Sequence, residues 1–374
     1  MSTQKRISIF IPVYRESDLL EPLLRSLLDD PYGEKEIFIV IDEPTPRSLE
    51  IADKFSKNDN IHFTFNGDRK GKANVLNQIV DSSKGEIFLF LDADTIIDGG
   101  GESFLKIISE EMENADIIEV KKDVIRDSFI ARVVSYDYLS FNLTNLYFSR
   151  KIGRCLGING AAFAIKRETF KALGGFRRVV CEDLDIATRS FANNMRFKFL
   201  DNVTVCTRAP SSWREWFNQR KRWGIGAAFW FKENFNLLKN IARKYPKVII
   251  PSLLFIFPAL PLILINLFVP DELSLKIFYV SMILLSAKTS ILIPPAALTS
   301  TTLPALRNFL TIIGGLAAYS TIFYFAARKL RFPFNLLEFA AFYFIAAPLW
   351  LLMVIASLVR VYTKPDGIKI DWKT

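Results

Sequence analysis

Asp92-Ala93-Asp94 sets two carboxylates two residues apart at the end of the apolar run Glu86–Leu91. Oxygen ligands of this kind suit a hard cation such as Mg²⁺ or Mn²⁺. Such a cation would neutralise a diphosphate and let it depart as a leaving group. The same triplet occurs in ordinary loops, so its position after a strand is what gives it weight. A second acidic pair, Glu182-Asp183, stands in Cys181-Glu182-Asp183-Leu184-Asp185. A positioned carboxylate there can take the proton of a hydroxyl nucleophile as a bond forms. Acids at a helix N-terminus that complement the helix dipole give the same pattern, and the two readings are compatible. The third feature is Gln219-Arg220-Lys221-Arg222-Trp223. On a helix Gln219, Arg222 and Trp223 share one face; a guanidinium grips a diphosphate with a fork of donors, and an indole offers a flat surface to a ring. A basic helix lying on a membrane accounts for the charges but not for Gln and Trp at that spacing. Gly67–Lys72 is one residue short of a phosphate-binding P-loop and continues with Ala73, so the ATPase reading is rejected. Lys72, at a predicted helix start, can still meet a phosphate or a base.

These groups need a scaffold that brings them together. Apolar runs bounded by charge predict strands at Ile7–Val13, Glu36–Ile41, Ile61–Asn66 and Glu86–Leu91. Helical spacing fills the intervals at Leu19–Leu28, Leu49–Phe55 and Ala73–Ser82. Strands alternating with helices predict an α/β fold, a doubly wound, mostly parallel sheet. Ligands bind beyond the carboxyl ends of such strands, where Asp42 and Asp92 both fall.

The 374 residues exceed the needs of one average domain, and their apolar half is unevenly spread. Up to about Tyr245 charges run throughout; beyond Lys247 long apolar stretches dominate. Candidate membrane spans are Val248–Val269, Leu275–Ala297, Phe309–Ala327 and Asn335–Val359, each near the ~20 residues that cross hydrocarbon. The expected division is a catalytic head over 1–212, amphipathic interfacial helices over 213–247, about four transmembrane helices over 248–360, and a short tail over 361–374. Eight aromatic residues between Trp213 and Phe235, interleaved with Arg and Lys, suit an interfacial position. One tension is visible: four spans from a cytosolic head put Arg328-Lys329-Leu330-Arg331 outside, against the positive-inside tendency. A break near Pro294-Pro295 would relieve it.

Net charge is +9, which by itself permits nucleic-acid binding. The basic residues gather at Arg214–Lys247 and at the ends of apolar segments, a placement that suits an anionic membrane or a phosphate-bearing substrate, so no nucleic acid is expected. Cys155, Cys181 and Cys206 have no CxxC spacing and are read as reduced thiols in a cytosolic domain. The single histidine, His62, excludes a His-rich zinc site. Met1–Phe10 has no signal-peptide pattern, so the expectation is a multi-pass protein of the cell membrane with its head in the cytoplasm.

Taken in order, Ile11-Pro12-Val13-Tyr14, Val40-Ile41-Asp42-Glu43, Gly71–Asn77, Leu91–Asp94, Gly157–Arg167, Gly174-Gly175-Phe176, Glu182-Asp183 and Gln219–Trp223 resemble the family-2 inverting glycosyltransferases, particularly the branch of cellulose, chitin and hyaluronan synthases. The resemblance implies a GT-A-like head that binds a nucleotide-diphosphate sugar, UDP-linked in preference to GDP-linked, and inverts the anomeric carbon without a covalent enzyme intermediate. It implies that Pro12, Tyr14, Glu16, Asp42, Lys72 and Asp92 contact the donor, with Asp42 reading the base. Asp94, together with Asp92, would hold Mg²⁺ or Mn²⁺. Asp183, beside Glu182, would be the general base, and Gln219, Arg222 and Trp223 would bind diphosphate and acceptor. Two departures stand out: Asp42-Glu43-Pro44 where many relatives have two aspartates and a glycine, and Cys181 where a threonine is common. Extension of a β-linked polysaccharide is the first expectation and addition of one sugar to a membrane lipid the second. A non-catalytic transporter or scaffold is the third, disfavoured because every acidic residue of the proposed site is present.

Overall fold

The computed structural model describes residues 4–98, 102–268, 270–289 and 302–365. The first half winds as β1 (Ile7–Tyr14), α1 (Leu20–Asp29), β2 (Lys35–Asp42), α2 (Pro46–Phe55), β3 (Ile61–Asn66), α3 (Lys72–Val80) and β4 (Ile87–Leu91). There follow β5 (Thr95–Asp98), α4 (Phe104–Glu111), β6 (Ile117–Val124), α5 (Phe129–Lys151), β7 (Ala162–Lys166), α6 (Arg167–Ala172), α7 (Glu182–Ala192) and β8 (Phe197–Thr207). Helices alone make up the described remainder: α8 (Trp213–Lys244), α9 (Pro246–Ile256), α10 (Leu260–Phe268), α11 (Asp271–Thr289), α12 (Thr302–Leu330), α13 (Leu336–Ala341) and α14 (Ala347–Thr363), the last two joined by a π-helical turn at Phe342–Ala346.

Every residue of β2 and β4 is buried, as strands covered by helices on both faces require. Alternate side chains of β1 enter opposite layers. Ile7, Ile9 and Ile11 pack with α1 and α4 on one side; Phe10 stacks on Phe38 and Phe90 on the other, toward α3 and α5. One eight-stranded sheet runs β3-β2-β1-β4-β7-β6-β8-β5. The expected parallel pairing holds from β3 to β4. The other side is mixed: β7 lies antiparallel between β4 and β6, β6 and β8 are parallel, and β5 is antiparallel to β8.

The helical part departs from the hydropathy reading. Where a continuous span was expected over Val248–Val269, the described residues form two short helices. Phe257 precedes Pro258 and is driven out of helical geometry, to φ −125° and ψ 73°. At the second expected span, α11 is 19 residues long and carries Lys276 and Lys288; Pro294-Pro295, and the span's end, lie outside the described residues. Two helices, Thr302–Leu330 and Leu336–Thr363, are long and apolar enough to cross a membrane. In place of several interfacial helices, α8 is one helix of 32 residues. Its Trp216 and Arg220 are fully buried because this face packs into the protein, against α5 and α14.

Candidate active site

The carboxyl edge of the sheet gathers the predicted groups. At the ends of β1 and β2 the chain turns through Arg15 (φ 62°) and Glu43 (φ 52°), left-handed conformations that bulky residues adopt at a cost. Half-buried Pro12 lies within β1. Tyr14 is exposed; its hydroxyl donates to Glu43 at 3.1 Å, and the Arg69 guanidinium sits 4.2 Å from its ring centre. Glu16 accepts from the Thr45 hydroxyl at 2.5 Å. Asp42 is buried with both oxygens engaged: Oδ1 accepts from the Asn66 amide at 2.8 Å, and Oδ2 from the backbone N–H groups of Lys70 and Gly71 at 2.8 and 2.9 Å. Its visible work is to hold the loop that launches α3. Gly71 sits there at φ 86°, a conformation suited to glycine, immediately before Lys72.

Lys72 is the hub. Its Nζ donates to Asp92 Oδ1 at 2.6 Å and lies 3.5 Å from Glu182 Oε1 and from the Gly160 carbonyl. Burial opposes its charge, but Asp92, Glu182 and Asp183 more than compensate and hold the ammonium above its ordinary value. Asp92, just past β4, and Glu182 of α7 thus meet at one ammonium. Burial, then Asp92, push the Asp94 carboxyl up to about 6. Burial raises Glu182 to about 7, against the pull of Lys72 and with that of Asp183 added. Glu182 and Asp183 occupy the first turn of α7, where the dipole favours acids. Asp183 Oδ2 accepts from the Gly160 N–H at 2.9 Å and Oδ1 from the Leu184 N–H at 2.8 Å.

The third element lies on α8, which approaches Cys181, the residue before Glu182, at Gly226. Arg222 is exposed, while Gln219 and Trp223 are half-buried. Burial raises the Cys181 thiol pKa, Asp183 and Glu182 add to the rise, and the Arg222 charge opposes it. A Cβ on Gly226 would collide with Cys181 Sγ, so glycine permits this approach.

Sequence reasoning passed over Arg220. It donates to Asp137 of α5 at 2.8 Å, fully buried, with its guanidinium 4.6, 5.2 and 5.6 Å from the ring centres of Trp223, Trp350 and Trp216. Asp137, a lone acid among the aromatic and apolar residues of α5, was the available signal. The buried Glu119–Lys122 pair of β6, 2.7 Å apart, was also missed.

Among the described residues no group of three or more His, Cys, Asp or Glu side chains is disposed to hold a metal. The donor set nevertheless fits a divalent cation of the Mg²⁺ kind, which is bound by one or two carboxylates with substrate phosphates completing its shell. Burial first and the Asp92 charge second hold the Asp94 carboxyl up, and added positive charge would relieve the second.

The profile described as Glycosyl transferase family 2 matches residues 8–174. Over these residues the chain is similar to family 2 glycosyl transferases. The match contains β1 to β7, with Lys72, Asp92 and Asp94; Glu182, Asp183 and α8 lie beyond it. The chain is 25% identical over 235 residues to the probable glycosyltransferase YdaM of Bacillus subtilis, covering 60% of this chain and 56% of that protein. It is 26% identical over 224 residues to the poly-beta-1,6-N-acetyl-D-glucosamine synthase of Staphylococcus epidermidis, covering 59% and 54%. The chain thus spans little more than half the length of these relatives. In fold it resembles the mannosyltransferase PcManGT from Pyrobaculum calidifontis, solved in complex with GDP-Man and Mn²⁺, with a TM-score of 0.52 at 17% identity over 96% of this chain and 88% of that one. The head is therefore GT-A-like.

Proposed function

We propose that the chain transfers a sugar from a nucleotide-diphosphate donor to a hydroxyl acceptor with inversion, building a β-linked polysaccharide. The observation that carries the reading is the convergence of Asp92, Glu182 and Asp183 on the Lys72 ammonium at the carboxyl edge of the sheet. Asp183 is the general base, held by two N–H groups that leave lone pairs for the acceptor proton. Glu182, raised to about 7, exchanges protons near neutrality beside it. Lys72 and Arg222 supply positive charge to the diphosphate, and Gln219 and Trp223 form the acceptor side. Pro12, Tyr14, Glu16 and Asp42 border the base end of the donor. Asp92 and Asp94 would hold Mg²⁺ or Mn²⁺, whose contribution when bound is to neutralise the leaving diphosphate. Helices α12 and α13–α14 would sit in the cell membrane with the head on its cytoplasmic face.

The name of the Staphylococcus epidermidis relative makes an N-acetylglucosamine donor the first to try, within a panel of UDP- and GDP-sugars. Long products support the polysaccharide reading; a single labelled sugar on membrane lipid assigns the alternative acceptor. Undiminished turnover by Asp183→Asn removes the base assignment.

A further inference from the structure

Three consecutive residues, Asn159-Gly160-Ala161, touch three acidic residues from three different elements. The Asn159 N–H donates to Glu119 Oε1 of β6 at 3.1 Å. The Gly160 N–H donates to Asp183 of α7 at 2.9 Å. The Ala161 carbonyl accepts the backbone N–H of Asp92, just past β4, at 3.0 Å. Asn159 Oδ1 closes the turn on the Ala161 N–H at 3.0 Å. The space is tight: a Cβ on Gly160 would stand 3.1 Å from Lys72 Nζ and 3.2 Å from Asp183 Oδ2.

Beneath this tripeptide lies the Glu119–Lys122 pair, with side chains 3% and 1% exposed. Glu119 Oε1 also accepts from Lys122 Nζ at 2.7 Å, and Oε2 accepts from the Asn145 amide of α5. Asn142, also of α5, accepts the Lys122 N–H at 3.2 Å and donates to its carbonyl at 2.6 Å. It serves as a partner where β7, paired with β6 only over Ile117–Glu119, has already ended. Two charges taken from water cost several kcal/mol each, and an apolar pair of similar volume is often as stable. Stability alone therefore does not account for an ion pair at this depth; a geometry that it fixes does.

We propose that Asn159-Gly160-Ala161 is the spacer that sets Asp183 against Asp92, and that Glu119, neutralised by Lys122, is the positioning residue that anchors it. The inference rests on the reading of Asp183 as general base. A shift of about 1 Å in a catalytic group can cost on the order of a hundredfold in rate.

The test uses the full chain, purified in detergent, with release of nucleoside diphosphate from the UDP- and GDP-sugar panel as readout. Glu119→Leu/Lys122→Met removes the anchor without stranding a charge; kcat falls at least about tenfold while the donor KM stays within about twofold. Glu119→Gln/Lys122→Met, which can still accept the Asn159 N–H, recovers most of the loss. Should the apolar pair fail to accumulate as folded chain, Asn159→Pro deletes the amide that Glu119 holds together with the Oδ1 bond to Ala161, Asn159→Ala deletes that second bond alone, and a kcat-selective loss larger in the proline than in the alanine variant is expected. No release by the parent chain, or full release by Asp183→Asn, removes the base assignment and this role with it. An inactive Asp183→Asn beside an anchor-less variant of unchanged kcat overturns the positioning role alone.

Discussion

Lys72→Met deletes the ammonium that lies 2.6 Å from Asp92 and 3.5 Å from Glu182. At an effective dielectric of about 20, unit charges at the Glu182 distance interact by about 5 kcal/mol. The ammonium is shared with Asp92 and its side chain is 22% exposed, so roughly half of that is retained, equivalent to about two pKa units. Glu182, already raised to about 7 by burial, then holds its proton to higher pH. The profile of kcat/KM against pH reports ionisations of the free enzyme. The parent chain is expected to gain activity through pH 7, and Lys72→Met only about two units higher. Lys72→Arg, which keeps the charge, holds the limb near 7 even where altered shape lowers the rate. A rate that falls equally at every pH, with the limb unmoved in Lys72→Met, would refute the electrostatic coupling and leave Lys72 as a donor-binding group only.

Asp94→Ala is expected to abolish the Mn²⁺ or Mg²⁺ dependence of donor binding in titrations while the chain still folds, because the folded structure already disfavours this carboxylate's ionised form. Arg222→Lys should lower turnover about tenfold or more, since an ammonium cannot reproduce the planar fork; near-normal turnover would make Arg222 a surface charge. Raised carboxyls give a definite sign for stability: Glu182 and Asp94 favour the folded state most below their unfolded values and lose that contribution as pH rises through about 7 and about 6. Ligand-free protein should accordingly melt at a lower temperature at pH 8 than at pH 5, and a flat or rising trend contradicts the shifts. Arg220→Met alone strands the buried Asp137 and is expected to cost about 3–5 kcal/mol in denaturant unfolding, whereas Asp137→Leu/Arg220→Met recovers most of it.

Much of the parallel half of the head was legible because its strands are buried on both faces, so apolar runs mark them directly. Ile61–Asn66 was expected and found unchanged, and β1, β2 and β4 differ by a residue at one end or both. The other half hides its strands. In β6, Glu119, Lys121 and Lys122 interrupt the apolar run yet are buried, their charges settled by partners from α5, the 159–161 turn and the end of α12. No local pattern reports such long-range pairing. The same limit applies within Gln219–Trp223: helical spacing groups Gln219, Arg222 and Trp223, but only packing shows that Arg220 goes inside. Hydropathy likewise measured the apolar length of Val248–Val269 without the backbone constraint that Pro258 places on Phe257.

Helix α8 is what unites these readings. Gly224 and Gly226 stand two residues apart, and a Cβ on the first would come within 2.7 Å of Ser357 Oγ of α14, while one on the second would strike Cys181 just before Glu182. The helix is thus held between the C-terminal apolar helix and the start of α7, with the buried Arg220–Asp137 pair pinning it to α5. Gln219, Arg222 and Trp223 all lie on the helix held in this way. Such rigidity matters to a transfer reaction, because misplacing the reacting groups by about 1 Å can cost on the order of a hundredfold in rate. On the proposed reading, enlarging Gly226 to alanine would tilt α8 away from Cys181 and weaken transfer to acceptor more than hydrolysis of the donor by water, which needs no acceptor side. Equal loss of both reactions would place the effect on the carboxylates instead.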